Sequence, residues 1–548
     1  MKNRRRIAFL VSSVLLVQTT LSACVNNLTT TKNDETQNAT EAENATEEET
    51  TEDKIPVEEK TDEQLEQMAK TYEEKGPKYI FLFIGDGMSY AQCQLASYYF
   101  DSVGQNVDAT FSDFRFQGST TTYNETSLIP DSASTITAIA SGNKTAMGVI
   151  NEDSENDVEY RTIAEYLKKV CGFKVGVMSS VAVNHATPAG FYAKNKDRNS
   201  YYEIGLDLID SDFDYFAGGN FLLPNGADGT SEDLNKLASE AGYTLLNNPD
   251  KVKENIDADK ILLTTGCEYN ENSLSYRIDR ENGNTSSTVS LADLVSSGID
   301  YLGPNSDDDS GFFMMCEGGM IDWACHANDA AAMIYEMQDF REAVDEAIAF
   351  YNEYPDDTLI LVTADHECGG LTLGYANTQY TTNYPLLSNQ RISTAAYNNK
   401  YIANYKDEGV YFEGAMEDIR QLFGLTRPEY ATEYTDPNLI LTEDEVDDMY
   451  DAYLVTWDGY ATDENGNAVQ TSEEYTKYGN CMPFTVAALH ILEHKAGIDF
   501  STYVHTAVSV PIYAMGKNAK QFKGTYDDTE IYEKLMKIKG LSTDEEEE

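Results

Sequence analysis

Four short stretches of almost unbroken apolar residues punctuate the chain: Lys78–Ile84 (KYIFLFI), Phe173–Ser179 (FKVGVMS), Gly311–Met315 (GFFMM) and Thr358–Thr363 (TLILVT). Their β-branched and aromatic content, without alternation of polar residues, is the pattern of strands buried on both faces. Helical periodicity lies between them, over Thr162–Val170 and Ala330–Tyr351. Alternating strands and helices predict an α/β fold: a three-layer sandwich with a central, mostly parallel β-sheet and helices on both faces. Residues 380–480 break the pattern. They are rich in Tyr, Asn, Asp and Glu and poor in aliphatics, and read as an inserted subdomain.

The polar residues that follow the apolar runs carry the candidate chemistry. Gly85-Asp86-Gly87 follows the first run, Cys316-Glu317-Gly318 the third and Ala364-Asp365-His366 the fourth. Ligands of open α/β sheets bind beyond the carboxyl ends of the strands, so these three acids can converge on one point. A single acid there is usually only a cap. Asp322 and His326 stand four apart, on one face of a helix, and form with Asp365-His366 two acid-plus-imidazole pairs suited to Zn²⁺. Among the six histidines, His185, His326, His366 and His505 lie in polar or turn contexts, whereas His490 and His494 lie in an apolar helical stretch and read as structural. Pro130-Asp131-Ser132-Ala133-Ser134 opens a small-residue helix. Ser132 either caps that helix or, at a helix N-terminus that favours anions, serves as a nucleophile activated by nearby metal.

Composition narrows the partners. The 548 residues carry 94 acids against 39 bases, a formal charge of −55. That excludes a basic nucleic-acid face and a polybasic membrane patch. It also sets a problem for an anionic substrate, which bound metal ions resolve locally because salt screens the far field beyond roughly 8–10 Å. Of eight cysteines, Cys316, Cys325 and Cys368 adjoin the candidate residues, but no CxxC spacing occurs, and they read as small buried side chains.

The amino-terminal region reads as a targeting segment. A basic MKNRRR precedes the apolar Ile7–Val17, which is shorter than the roughly 20 residues of a membrane span. Leu21-Ser22-Ala23-Cys24 then resembles a bacterial lipobox, in which Cys24 becomes the lipidated first residue. Residues 1–24 are thus expected to be a signal peptide with a lipobox and 25–76 a disordered acidic linker, since 25–75 hold 16 acids, five lysines and few apolar side chains. A short helix over Gln64–Lys75 fits within it. The expectation is an exported, extracytoplasmic protein held at the cell membrane only through lipidated Cys24.

Six segments together resemble the alkaline phosphatase family: GDGMS (85–89), PDSAS with SGNKT (130–145), HATPAGFYA to Arg198, EGGMIDWACH (317–326), TADHECGG (363–370) and His505-Thr506 with PIYAMG (511–516). The resemblance implies a catalytic domain over 77–548, acting on small phosphate monoesters with broad specificity through a phosphoserine intermediate, with two Zn²⁺ and one Mg²⁺ per chain. It makes Ser132 the nucleophile and Arg198 the phosphate clamp. It gives Asp322, His326 and His505 to the first zinc, Asp86, Asp365 and His366 to the second, and Asp86, Thr187 and Glu317 to magnesium. Dimers are common in the family. His185 and Trp323 depart from the best-known bacterial pattern and bear on the third metal and on secondary phosphate contacts. Diesterases and sulfatases of the same scaffold usually carry Thr or a modified Cys in place of Ser132, and the cofactor-independent phosphoglycerate mutase is cytosolic. A binding module with a decayed site would hold metal without turnover. Asp463, Asn465, Asn467 and Glu474 follow the spacing of a calcium loop, but Ala468 occupies its required glycine position.

Overall fold

The computed structural model describes residues 59–105, 111–155, 158–304, 310–462 and 468–541. Ten strands form one sheet: β1 Tyr79–Ile84, β2 Phe116–Thr121, β3 Lys174–Ala182, β4 Tyr215–Gly219, β5 Tyr243–Leu246, β6 Lys260–Thr264, β7 Phe312–Glu317, β8 Thr358–Thr363, β9 Val510–Gly516 and β10 Gly524–Asp527. Their order is β10-β2-β9-β8-β1-β7-β3-β4-β6-β5. Only β9 runs antiparallel to its neighbours, β2 and β8.

The four runs expected to be strands are β1, β3, β7 and β8, and they lie side by side at the centre of the sheet. Alternation along each strand divides its side chains between two cores. From β1, Tyr79, Phe81 and Phe83 enter a core with the helices Tyr90–Ser102, Leu291–Leu302 and Ala330–Glu353. Ile80, Leu82 and Ile84 enter the other, with the helices Ser132–Ser141, Ile163–Lys169 and Thr529–Lys539. Helices therefore cover both faces, as the alternating pattern predicted. Of the remaining strands β2 (FQGSTT) is polar and β5 (YTLL) short, whereas β9 (VPIYAMG) is apolar and buried over its first five residues.

Two expectations change. The linker was expected to reach residue 76, but a helix spans Asp62–Ala69, opened by a Thr61–Gln64 capping box. Leu65 is fully buried in the second core, and Asp62 pairs with Arg161 and Lys169. One apolar side chain per turn and a good cap suffice when tertiary packing supplies the rest. Residues 1–58, with the signal segment and Cys24, lie outside the described residues. The 380–480 segment is helical, chiefly in Phe412–Phe423 and Glu443–Asp458, and shares the first core rather than owning one. Aromatic residues replace the missing aliphatics: Tyr397 meets Phe423 edge-on at 5.3 Å, and Phe412 meets Tyr453 at 5.6 Å. Most of the calcium-like spacing, 463–467, lies outside the described residues, and Glu474 accepts from the Thr471 backbone in a helix cap. Among the described residues no helix is long and apolar enough to cross a membrane, and no disulfide forms.

Candidate active site

Register sets the site. Ile84 at the end of β1 lies opposite both Glu317 of β7 and Thr363 of β8. Two residues past that register the chains leaving β1 and β8 place Asp86 and Asp365, and Glu317 stands beside them as the last residue of β7. Gly87 makes the turn after β1 with φ +70°, and a Cβ at that position would sit 2.9 Å from Asp322 Oδ1 and from Cys368 Cβ. The turn is therefore reserved for glycine on two counts, conformation and close approach. Its N–H donates to Asp365 Oδ1 at 3.3 Å.

The imidazole of His366 is the meeting point. Its Nε2 lies 3.4 Å from Asp86 Oδ1, 3.2 Å from Asp365 Oδ2 and 3.1 Å from Ser132 Oγ. Ser132 is the first residue of its helix and does not cap it. Asp131 is the cap, accepting from the Ser134 N–H at 3.2 Å. Ser132 Oγ is thereby left to face the imidazole at a helix N-terminus. Asp131 also takes the N–H of Gly148 and, at 2.9 Å, Nη1 of Arg198. Burial works against its charge, but Arg198 and these donors hold its carboxyl below the usual range. Arg198 is thus an ionised, buried guanidinium fixed beside the nucleophile candidate.

A second cluster adjoins the first. Donor atoms of Asp322, His326 and His505 lie within 4.8 Å of one another, as do those of Asp86, Asp322 and His366, so Asp322 belongs to both groups. The Nδ1 atoms of His326 and His505 donate to the carbonyls of Tyr503 and Pro130, at 2.6 and 2.8 Å. A carbonyl only accepts, so each Nδ1 carries a proton, and each ring when neutral presents an Nε2 lone pair. Those two Nε2 atoms are 3.1 Å apart, and that of His326 is 3.3 Å from Asp322 Oδ2. Burial opposes a charge on His326, but the Asp322 carboxylate raises its pKa, so without metal a proton is held between the two, and a divalent cation takes that proton's place.

The carboxylates make the same case. Asp86 Oδ1, Glu317 Oε1, Asp322 Oδ1 and Asp365 Oδ2 are buried without a hydrogen-bond partner. Burial, then the neighbouring Asp365, Asp322 and Glu317, push Asp86 well above the usual carboxylate range. Burial and Asp322 raise Asp365 to about 6. Burial also raises Glu317 to about 7, opposed by the Ser179 hydroxyl that donates to it and reinforced by Asp365. Burial keeps the His366 imidazole neutral, at about 4. Four buried acids with the neutral imidazoles of His366 and His505, and a His326 whose proton metal displaces, form a donor set that divalent cations satisfy. Nitrogen and oxygen donors suit zinc, and the all-oxygen corner, where Thr187 Oγ1 donates to Asp86 Oδ2 at 3.4 Å beside Glu317, suits magnesium.

The remaining residues fall close by. His185 precedes the short helix that carries Thr187, its ring edge-on to Trp323 at 6.1 Å. Burial first, then Arg198, lower His185 to about 3, so it is neutral. Cys368 reaches the Asp322–His326–His505 group, but burial pushes its thiol up and its S–H donates to the Asp322 carbonyl at 3.8 Å. Its S–H is thus engaged with a backbone carbonyl, which agrees with a packing role. Sequence reasoning missed Ser179, Asp131, Gln92 and Glu367, because each acts through a partner distant in the chain. The double placing of Asp131, between helix cap and arginine, was signalled only by its position before Ser132.

Comparison with known proteins bears on this arrangement. The family model described as alkaline phosphatase matches residues 77–541. Alkaline phosphatase 4 of Bacillus subtilis (strain 168) is 27% identical over 489 residues, covering 87% of this chain and 92% of its own. The cold-active alkaline phosphatase of the psychrophile Shewanella sp. superposes with a TM-score of 0.65 at 28% identity, covering 85% of this chain and all of its own. A mutant alkaline phosphatase from the Antarctic bacterium TAB5, with Mg bound in the M3 site, shares the fold at a TM-score of 0.56 and 23% identity, covering 86% and 100%.

Proposed function

The chain belongs to the alkaline phosphatase family and is a metal-dependent phosphomonoesterase, and we propose that Ser132 is its nucleophile and Arg198 its phosphate clamp. In this reading Asp322, His326 and His505 hold one zinc and Asp86, Asp365 and His366 a second. Asp86, Thr187 and Glu317 hold one magnesium, with His185 and Trp323 flanking it. The magnesium assignment draws support from the TAB5 mutant with Mg in its M3 site. One observation carries the reading: unpartnered buried carboxylate oxygens and imidazole nitrogens gather in two groups that share Asp322, and His366 of one group reaches the hydroxyl of Ser132.

The family mechanism runs through a phosphoserine. Ser132 Oγ gives up its proton and forms a bond to phosphorus, while the bond from phosphorus to the alcohol oxygen breaks and the alcohol leaves protonated. Water then adds to phosphorus, the bond to Oγ breaks, and inorganic phosphate leaves with the serine hydroxyl restored. The bound metals supply positive charge for the oxygens that become anionic and acidify hydroxyl and water. The protein positions the rest. The helix that begins at Ser132 aims its first-turn N–H groups at an anion. Asp131 holds the planar fork of Arg198 in place for two phosphate oxygens. Little of this recognises the alcohol, so we infer broad specificity for small monoesters.

Residues 1–24 support export and a lipid anchor at Cys24. The test of the whole reading is metal removal. Excess chelator abolishes hydrolysis of p-nitrophenyl phosphate, and zinc with magnesium restores it. Full turnover in excess chelator sinks the assignment.

A further inference from the structure

Glu367 stands between the site residue His366 and the buried Cys368, yet it belongs to neither group of candidate metal donors and has no part in the reaction above. Its carboxylate is buried and takes four donors, all uncharged. Gln92 Nε2 donates to Oε1 at 2.8 Å and the Leu371 N–H at 3.3 Å. The Gly370 N–H donates to Oε2 at 3.2 Å, and the Thr506 hydroxyl donates to the same oxygen. A buried carboxylate is tolerated only when so satisfied, and the satisfaction here joins chain segments that are otherwise remote.

Those segments are the ones that carry the site. Gln92 lies on the helix that follows Asp86, and its own Oε1 accepts from the Ser89 N–H at 3.0 Å. Glu367 and Cys368 pair antiparallel with Thr506 and His505, in a ladder only two residues long. That ladder is too short to hold register alone. The rings of His366 and His505 stack across it with centroids 3.6 Å apart, and His505 Nδ1 continues to Pro130, two residues before Ser132.

We propose that Glu367 is a positioning residue which, by gripping Thr506 from the Gln92-anchored turn, sets the spacing of His505 from His366 and so sets how tightly Asp322, His326 and His505 hold metal. The inference rests on the reading of His505 as a metal ligand. Partners behind a metal ligand typically carry a factor of about 10–100 in affinity or activity.

The experiment uses the full chain with the substitutions Thr506→Val, Thr506→Ser and Glu367→Gln, each checked for parent-like circular dichroism. Two quantities are read: metal retained per chain after timed exposure to chelator, and the zinc concentration giving half-maximal hydrolysis. Thr506→Val and Glu367→Gln lose metal about tenfold faster and need about tenfold more zinc, and Thr506→Ser restores both values. If Glu367→Gln does not fold, Thr506→Val decides alone. Parent-like metal retention in Thr506→Val overturns the proposal, and so does lost activity that zinc does not recover. An unaltered protein that retains no zinc overturns instead the reading of His505.

Discussion

The two halves of the metal centre are built by different means. Glu317 ends one of three neighbouring parallel strands and Asp86 and Asp365 lie two residues beyond the ends of the other two, so sheet register alone gathers them at one edge. Asp322, His326 and His505 come from a helix and a loop 179 residues beyond His326, joined by single hydrogen bonds and a two-residue ladder. The first half borrows its precision from a ten-stranded core. The second depends on Tyr503, Pro130, Thr506 and their partners, any of which one substitution removes. The carboxylate half is consequently the rigid one and the histidine half the adjustable one.

The largest effect separates chemistry from both halves. Ser132→Ala removes the Oγ that faces His366 while leaving every metal donor in place. Turnover of p-nitrophenyl phosphate is expected to fall by at least about a thousandfold, with metal content per chain unchanged. Loss of metal alongside turnover would mean that the hydroxyl belongs to the metal-holding set, and the division into halves would need redrawing.

A smaller effect distinguishes the halves by proton linkage. In the metal-free protein Glu317 and Asp365 are raised to about 7 and about 6. Between the unfolded carboxylate range and those values the folded chain binds more protons than the unfolded one, so their contribution to stability is lost as pH rises. Bound metal expels these protons and reverses the cost. His366 in the metal-free chain is neutral above about 4 and gives up no proton to metal in this range, whereas His326, raised by Asp322, does and widens the gap in the same direction. The gap in melting temperature between loaded and chelated protein therefore widens from pH 5.5 to 7.5. A gap that narrows over that range contradicts the assignment of the buried acids as ligands.

Legibility from sequence followed the same division. Asp86, Glu317 and Asp365 were readable because each ends an apolar run, and a run buried on both faces is a strong local signal. Asp322 and His326 were readable from helical spacing. His505 stood among the candidate histidines by its polar or turn context, but only the HT and PIYAMG resemblance assigned it to a metal, since its position depends on Glu367 and Pro130. The polar strands β2 and β10 are held by pairing rather than by apolar content, and Leu65 alone buries the Asp62–Ala69 helix. The 380–480 segment read as separate because aliphatic periodicity is absent, yet aromatic packing joins it to the first core.

The smallest effect concerns the far end of the histidine half. Asn328, buried just beyond the Gly319–His326 helix, adopts φ +49°. Its Nδ2 donates to the carbonyls of Cys325 and Thr502, at 3.0 and 2.9 Å, and its Oδ1 lies 3.2 Å from His490 Nε2. It thus ties the helix of His326 to the loop that leads to His505, and gives His490 a structural role. Asn328→Ala removes these bonds and places a Cβ-bearing residue, without a compensating amide, in a left-handed conformation costing about 1–2 kcal/mol. Asn328→Gly removes the bonds but not the conformational freedom. Both variants are expected to lose a few-fold in kcat, recovered by added zinc, and to melt lower for the lost hydrogen bonds, Asn328→Ala by several degrees more than Asn328→Gly. Equal melting losses would assign the effect to the hydrogen bonds alone, and unchanged kcat in both would show that the loop is held firmly enough by Tyr503, Pro130 and Thr506, making the histidine half as rigid as the carboxylate half.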